Sequence, residues 1–396
     1  MYTVSIATGL ETIVVVGASL AGYRAAEALR AEGFDGWLVI IGEEPHLPYD
    51  RPPLSKDLLA GKLEPSRVQL RGVQDLEAEW MLGEAATALD LHARCVCTAA
   101  GNEISFDGLV IATGSRPRRL AAVDPAHPGI HELRTLDDAL ALSEELQPGR
   151  RVAIVGAGFI GMEVASTAVD LGAHVTMVSL LEPIEVAGAL ATEEATRRLE
   201  ANGVELHIGR TVKRVQGNPA HALMLDDGSH VDVEVIVSAV GVTPATEWLV
   251  GSGLELDNGI LCDERLAVVG AERVVAAGDV ARWPNPRCGG APMRIEHWTN
   301  AGEQGRAAAR TLLHGAAAEP FASVPFFWSQ HFEARMQSAG LPEVADRFEI
   351  VEGSPDEGKF AAAGYREGRL VAALSWNAPR ALVALRAKLS EPLIPS

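Results

Sequence analysis

Cysteine is scarce in this chain: its 396 residues hold four, Cys95, Cys97, Cys262 and Cys288. They are too few and too scattered for a disulfide framework, and Cys95-x-Cys97 has neither redox nor zinc spacing. All four read as ordinary thiols, and no metal site is expected. Positive charge is also short. Lys plus Arg number 34 against 53 Asp plus Glu, a formal net charge of −19, and a field of that sign repels phosphate backbones and anionic lipid. Nucleic acid is therefore excluded as a partner. No apolar run approaches the roughly 20 residues that a membrane-spanning helix needs. The stretch Met1 to Glu11 lacks the basic and apolar regions of a secretion signal. No membrane partner is expected, and the expected location is cytoplasmic.

The remaining composition is that of a folded protein, with 47% hydrophobic and 22% charged residues. A chain of this length outgrows a single hydrophobic core, so two or three domains are expected. The 39 glycines are a modest excess, to be placed in turns or ligand loops.

The sequence repeats itself: Ile13 to Gly33 and Val152 to Gly172 align without a gap, each an apolar strand, a glycine turn and a helix. Gly17, Ser19, Gly22, Ala26 and Gly33 match Gly156, Gly158, Gly161, Ala165 and Gly172. In such a turn the first glycine allows the bend, the second lets backbone approach a pyrophosphate, and the third lets helix and strand pack closely. The phosphates then meet free N–H groups and the positive end of the helix dipole. One copy is a weak signal; two in register predict two nucleotide sites.

The first unit runs on through a strand, Trp37 to Ile41, to Glu43, about 20 residues past the last motif glycine, where an acid binds an adenosine ribose. A solvated acidic turn is the plainer reading of Glu43. The second unit departs from the rule, because its strand His174 to Val178 ends at Ser179. Yet no Arg or Lys lies from Ser179 to Thr196 to receive the 2′-phosphate of NADPH. Glu182 is a possible substitute acid, and NADH is expected ahead of NADPH.

Three apolar strands run into glycine turns: Leu109 to Gly114, Val233 to Gly241 and Val274 to Asp279. The first reads as a crossover between domains, the others as returns. After Gly315, aromatic strands around Phe326 to Trp328, Phe348 to Glu352, Phe360 to Tyr365 and Leu370 to Trp376 predict a small antiparallel sheet under a closing helix near Arg380 to Leu389.

Longer motifs are more specific: Gly-Ala-Ser-Leu-Ala-Gly (17–22), Pro-Tyr-Asp-Arg-Pro-Pro-Leu-Ser-Lys (48–56), Ala-Thr-Gly (112–114), Ala-Gly-Asp (277–279) and Arg-Ile-Glu-His-Trp-Thr-Asn-Ala (294–301). On these the chain resembles the FAD-dependent NADH:ferredoxin reductases, the putidaredoxin reductase-like enzymes that serve aromatic-ring dioxygenases and haem-thiolate monooxygenases. The resemblance covers nearly the whole chain. It implies an α/β fold with two nested Rossmann-like dinucleotide-binding domains, as in glutathione reductase, plus a C-terminal α+β domain. The expected divisions are residues 1–114 and 238–318 for FAD, 115–237 for NAD and 319–396 for the C-terminal domain.

By position, the resemblance places Arg51 and Lys56 at the flavin, Lys56 near its N5 edge, with Asp279 on the ribityl chain and Glu163 at the nicotinamide carboxamide. Lys56 and Glu163 are the expected catalytic pair. Gly17, Ser19, Leu20, Ala21, Gly22, Glu43, Ala112, Thr113, Gly114, Gly278, Glu296, His297, Trp298 and Trp328 are expected around FAD. Gly156, Gly158, Phe159, Ile160, Gly161, Ser179 and Gly241 are expected around NADH. Taken singly, Ser55 and Lys56 read equally well as the start of a surface helix, Asp279 as a turn residue, and Trp298 and Trp328 as core aromatics. Their joint occurrence in this order favours the site.

The chain departs from the family pattern after Trp328, with Ser-Gln-His where Ser-Asp-Gln is usual. Residues 45–60 hold no cysteine, so no thiol is placed to take electrons from the ring, and a 2Fe-2S ferredoxin is the expected acceptor. Such carriers are usually acidic, so a basic patch is needed, and Arg67, Arg71, Arg294, Arg306 and Arg310 are its candidates. Two other readings remain open: a rubredoxin reductase, and a redox-responsive binding protein resembling apoptosis-inducing factor. NADH-dependent dimerisation with slow turnover would mark the latter. A monomer or weak homodimer is expected.

Overall fold

The computed structural model describes residues 9–120, 127, 129–389 and 393; most of the N-terminal stretch weighed above for a secretion signal lies outside them. Among the described residues are six α-helices, α1 (Leu20–Ala31), α2 (Leu136–Glu145), α3 (Phe159–Asp170), α4 (Ala189–Ala201), α5 (Trp298–His314) and α6 (Pro379–Lys388). None is long and apolar enough to cross a membrane.

Two five-stranded parallel sheets carry the α/β part. In the first, Thr12–Val16 lies at the centre, flanked by Trp37–Gly42 and Gly108–Ile111, with Glu79–Leu82 and Val274–Ala276 at the edges. In the second, Arg151–Val155 is central, flanked by His174–Ser179 and Val235–Ser238, with Glu205–Ile208 and Ile130–His131 outside them. The repeat seen in the sequence is thus a repeat of whole units. Each unit also carries a three-stranded antiparallel sheet, Ala86–Asp90 to Glu103–Ser105 in one and Val212–Gln216 to His230–Asp232 in the other. Ile13, Val14, Val15, Ile40 and Leu109 have no exposed surface. Parallel strands covered on both faces read as unbroken Val/Ile/Leu runs, and each such side chain stabilises the fold by roughly 1.5–3 kcal/mol.

The C-terminal strands form one antiparallel sheet in the order Phe326–His331, Ala334–Gly340, Arg369–Trp376, Lys359–Arg366, Arg347–Ser354. Alternation along these strands gives it two apolar faces. One puts Met336, Phe360, Leu374 and Trp376 into a core shared with Val164 of α3 and Ala195 of α4. The other packs Ala339, Ala361 and Ala373 against Leu382 and Leu385 of α6. The first packing presses Ser329 and Gln330 onto α3, which matters for the site.

Candidate functional site

Both glycine turns are too tight for a side chain at their first and last glycines. Gly17 has φ +118°, and a Cβ there would lie 2.1 Å from the Ala112 carbonyl oxygen; at Gly22 it would lie 1.9 Å from the Gly17 oxygen. In the second unit the distances are 2.3 Å from Gly156 (φ +108°) to the Ala239 oxygen and 2.2 Å from Gly161 to the Gly156 oxygen. Five of the six α-helices begin without a side-chain cap, and three of these starts stand at the glycine turns or the cavity wall: α1 at Ser19, α3 at Gly158 and α5 at His297. By contrast α2 carries a full capping box, Thr135 with Asp138. Uncapped N–H groups behind backbone this close form an anion seat at a positive dipole end.

A cavity of 740 Å³ opens where the three parts meet, within the ordinary size of a cofactor site. The first unit lines it with Gly17, Ser19, Leu20 and Ala21, with Glu43 at the rim, and with Arg51, Lys56, Ala112, Thr113 and Gly114. The returning chain adds Gly278, Asp279, Glu296, His297 and Trp298, α3 adds Phe159, Ile160 and Glu163, and the C-terminal sheet adds Trp328. Gly22 lies under its turn, and Gly156, Gly158, Gly161, Ser179 and Gly241 lie outside this lining, in or beside the second sheet.

Two guanidinium groups face one another at the N-terminus of α1. Arg51 donates through Nε to Ser19 Oγ at 3.2 Å and pairs with Glu44 at 2.6 Å, and its Nη1 donates to the Arg134 carbonyl. Arg134 pairs with Asp279 Oδ2 at 3.0 Å, which also accepts from Ser115 Oγ at 2.7 Å. Burial and the nearby Arg51 hold the Arg134 guanidinium below the ordinary arginine value, the mark of a site that gains from an added anion. Arg134 escaped the sequence reading; its only local signal is the capping box that follows it. Glu43 is half exposed and pairs with Arg116 at 2.7 Å. These cations, the uncapped helix starts and the glycine cradle fit a bound dinucleotide.

Deeper in, Glu163 is 4% exposed and fully engaged. Its Oε2 accepts from Lys56 Nζ and from Ser55 Oγ, both at 2.5 Å. Its Oε1 accepts from Ser329 Oγ at 2.7 Å and from the Gln330 amide at 3.3 Å. One turn along α3, Ser166 Oγ accepts from the Phe332 amide and Thr167 Oγ1 donates to the Ser55 carbonyl. One helix face therefore ties both nucleotide units to the C-terminal sheet at the Lys56 ammonium.

Two imidazoles lie nearby, His297 partly buried and His331 buried. His297 has a buried Nδ1 without a partner among the described residues, and burial pushes its pKa down to about 4. His331, the departure from the family pattern, is 1% exposed and rests on Trp376 at 5.0 Å. Neither of its ring nitrogens has a partner among the described residues, and burial, with Arg198 and Lys56 nearby, pushes it down to about 3. Both rings stay neutral when folded and take up protons when unfolded. Stability is thus complete above about pH 6.5 and falls as the pH drops toward 4, by about 1.4 kcal/mol per unit for each ring. His331→Gln is expected to lose about 2 kcal/mol less than the parent between pH 7 and pH 5, read from denaturant unfolding at the two pH values; equal losses would contradict this.

One expectation needs correction. Arg294 is not part of a basic surface: its side chain is 9% exposed. It donates to the Asp279 carbonyl at 2.7 Å, to Glu296 at 2.7 Å and to Asn258 at 3.1 Å, clamping the 279–296 turn. Arg67 and Arg71 are exposed. Arg306 and Arg310 lie on α5 beside Glu27 (3.8 Å) and Glu32 (2.9 Å).

The comparisons agree with this geometry. The pyridine nucleotide-disulphide oxidoreductase family model matches residues 11–305, and a reductase C-terminal model matches residues 326–392. The probable ferredoxin reductase CtmF of Castellaniella defragrans is 36% identical, with 93% of this chain and 91% of that protein covered. The ferredoxin–NAD(+) reductase subunit of the benzene 1,2-dioxygenase system of Pseudomonas putida is 34% identical, over 93% and 90% of the two chains. Among solved structures, the reductase of the covalent putidaredoxin reductase–putidaredoxin complex superimposes with a TM-score of 0.91 at 29% identity, over 96% of this chain and 93% of that one. The chain belongs to the pyridine nucleotide-disulphide oxidoreductase family and, within it, to the ferredoxin reductases.

Proposed function

We propose that the chain passes electrons from NADH, through FAD in the 740 Å³ cavity, to a two-iron two-sulfur ferredoxin. The observation that carries this reading is a cavity fit for a dinucleotide with no cysteine in its lining. Cys262 and Cys288 are buried, and desolvation pushes both thiols up to about 12, so neither serves as a thiolate electron store. Bound FAD supplies the chemistry, taking two electrons at once and releasing them singly.

The residues bind and orient. The uncapped N–H groups of α1, with Arg51 and Arg134, would hold the pyrophosphate, Glu43 the adenosine ribose and Asp279 the ribityl chain. Glu163, Ser55 and Ser329 fix the Lys56 ammonium at one point of the cavity wall. The N-terminus of α5 at His297 and Trp298 presents a positive dipole end to negative charge on the ring system. Trp298 and Trp328 line the cavity and would shield the bound group from water. The Gly156, Gly158 and Gly161 turn receives the NADH pyrophosphate. Residues 1–114 with 238–318, 115–237, and 319–396 are the corresponding FAD, NAD and C-terminal units.

Arg306 and Arg310 meet Arg287 and Arg386 around a recess of 530 Å³. Along α5, Arg306 lies about 12 Å from Trp298 at the cavity mouth. This is the basic ground for an acidic carrier in a chain whose net charge is −19. Reversing both charges, Arg306→Glu with Arg310→Glu, is expected to lower kcat/KM for ferredoxin about tenfold at low salt and to flatten its salt dependence, since surface charges act on encounter rate. Unchanged ferredoxin turnover and salt dependence would remove these arginines from the docking face. The reading as a whole is tested anaerobically: NADH should bleach the flavin of the FAD-loaded protein, and oxidised ferredoxin should restore its colour.

A further inference from the structure

Ser179 leaves the adenosine end of the second nucleotide unit without its usual acid, and the fold brings a cation to that place. In the first unit the strand Trp37–Gly42 is followed by Glu43. The corresponding strand, His174–Ser179, ends in a serine that is 6% exposed and donates its hydroxyl proton to the Leu181 carbonyl at 2.7 Å. An acid here grips the two ribose hydroxyls and repels a 2′-phosphate; an arginine accommodates that phosphate.

The neighbouring strand Glu205–Ile208 pairs in parallel with this one, Ser179 opposite Ile208. Two residues further on, the Arg210 amide donates to the Ser179 carbonyl at 3.1 Å. The Arg210 side chain therefore starts about one strand spacing, roughly 4.8 Å, from the ribose position. The turn that presents it is fixed, because the Thr211 amide donates to Asp226 at 3.2 Å. Arg210 pairs with Asp227 through Nε at 2.8 Å, with both side chains part exposed at 43% and 34%. Such a pair is weak, about 0–1 kcal/mol. It engages one of five guanidinium donors, leaving the Nη edge for phosphate.

The loop after Ser179 supplies an independent sign of a ligand. Leu180 is 63% exposed, Leu181 60% and Val186 56%, an apolar patch of the kind that marks a binding surface and that an adenine ring would cover. Of the acids in this loop, Glu185 accepts from the Glu182 amide at 3.3 Å, and both residues are exposed.

We infer that this site takes a 2′-phosphorylated adenosine, received by Arg210 and seated on Leu180 and Leu181, so that NADPH is a working donor beside NADH. The inference rests on the reading of the second unit as the nicotinamide dinucleotide site.

The test is calorimetric binding of adenosine 2′,5′-bisphosphate and of 5′-AMP to the FAD-loaded protein, followed by flavin bleaching with NADPH and NADH. The bisphosphate is expected to bind at least as tightly as 5′-AMP. Arg210→Ala is expected to shift the ratio of the two dissociation constants at least tenfold against the bisphosphate, and Ser179→Glu to shift it the same way through repulsion. Bisphosphate binding tenfold weaker than 5′-AMP in the parent protein, or an unchanged ratio in Arg210→Ala, would overturn the inference while leaving the second unit a nucleotide site. Failure of both nucleotides to bind would overturn that reading as well.

Discussion

Gly156→Ala is expected to slow reduction of the bound flavin by NADH about a hundredfold or more while the protein keeps its FAD. Gly156 has φ +108°, and the added Cβ would stand 2.3 Å from the Ala239 oxygen and 2.6 Å from the Ala239 carbonyl carbon. Both are backbone atoms just beyond the strand Val235–Ser238 and cannot swing aside as a side chain would. The turn must open, carrying the N-terminus of α3 and its pyrophosphate seat out of position, and misplacement of about 1 Å is enough for a loss of this size. Gly17→Ala has the same geometry in the first unit, 2.1 Å from the Ala112 oxygen, and should lose FAD itself. The pair separates the two sites: one variant yellow but not reducible, the other colourless. The visible spectrum and stopped-flow bleaching read the difference, and parental bleaching rates in Gly156→Ala would refute the assignment of the second turn.

Lys56→Met is expected to destabilise the chain by about 3–5 kcal/mol, the usual consequence of leaving one member of a buried ion pair alone. Glu163 would keep Ser55, Ser329 and the Gln330 amide but would hold its charge at 4% exposure without a cation. Adding Glu163→Gln removes that charge and should restore much of the loss, because the two changes share one interaction. Flavin reduction should stay slow in both variants, since neither fixes an ammonium at the cavity wall. Denaturant unfolding of the single and double variants, set beside their bleaching rates, separates stability from positioning. Additive destabilisation in the double variant would show that the pair is not coupled.

The glycine turns were legible because each is a local device: strand, bend and helix start lie within one short segment. The two dinucleotide-binding units were legible from those turns and from the family motifs, whereas the three-stranded antiparallel sheet that each unit carries was not. Arg134 and Arg210 were hidden for one physical reason. Arg134 reaches Asp279, and the Arg210 backbone reaches Ser179, through pairings across the chain that no sequence window spans. The segment from Ser179 to Thr196 holds no cation, and the one beside Ser179 comes from the neighbouring strand. Arg294 failed the opposite way: its charge was plain, but whether an arginine faces water or clamps a turn depends on neighbours such as Asn258 and Glu296. Ser329 and Gln330 became site residues only because one face of the C-terminal sheet shares a core with α3.

The most direct test of electron transfer from NADH to ferredoxin is cytochrome c reduction by the FAD-loaded protein, measured with NADH in the presence and absence of a two-iron two-sulfur ferredoxin from the same source. The account predicts strong stimulation by the ferredoxin, saturable in its concentration and weakened by salt. Rapid bleaching of the flavin by NADH with no stimulation by ferredoxin would contradict it.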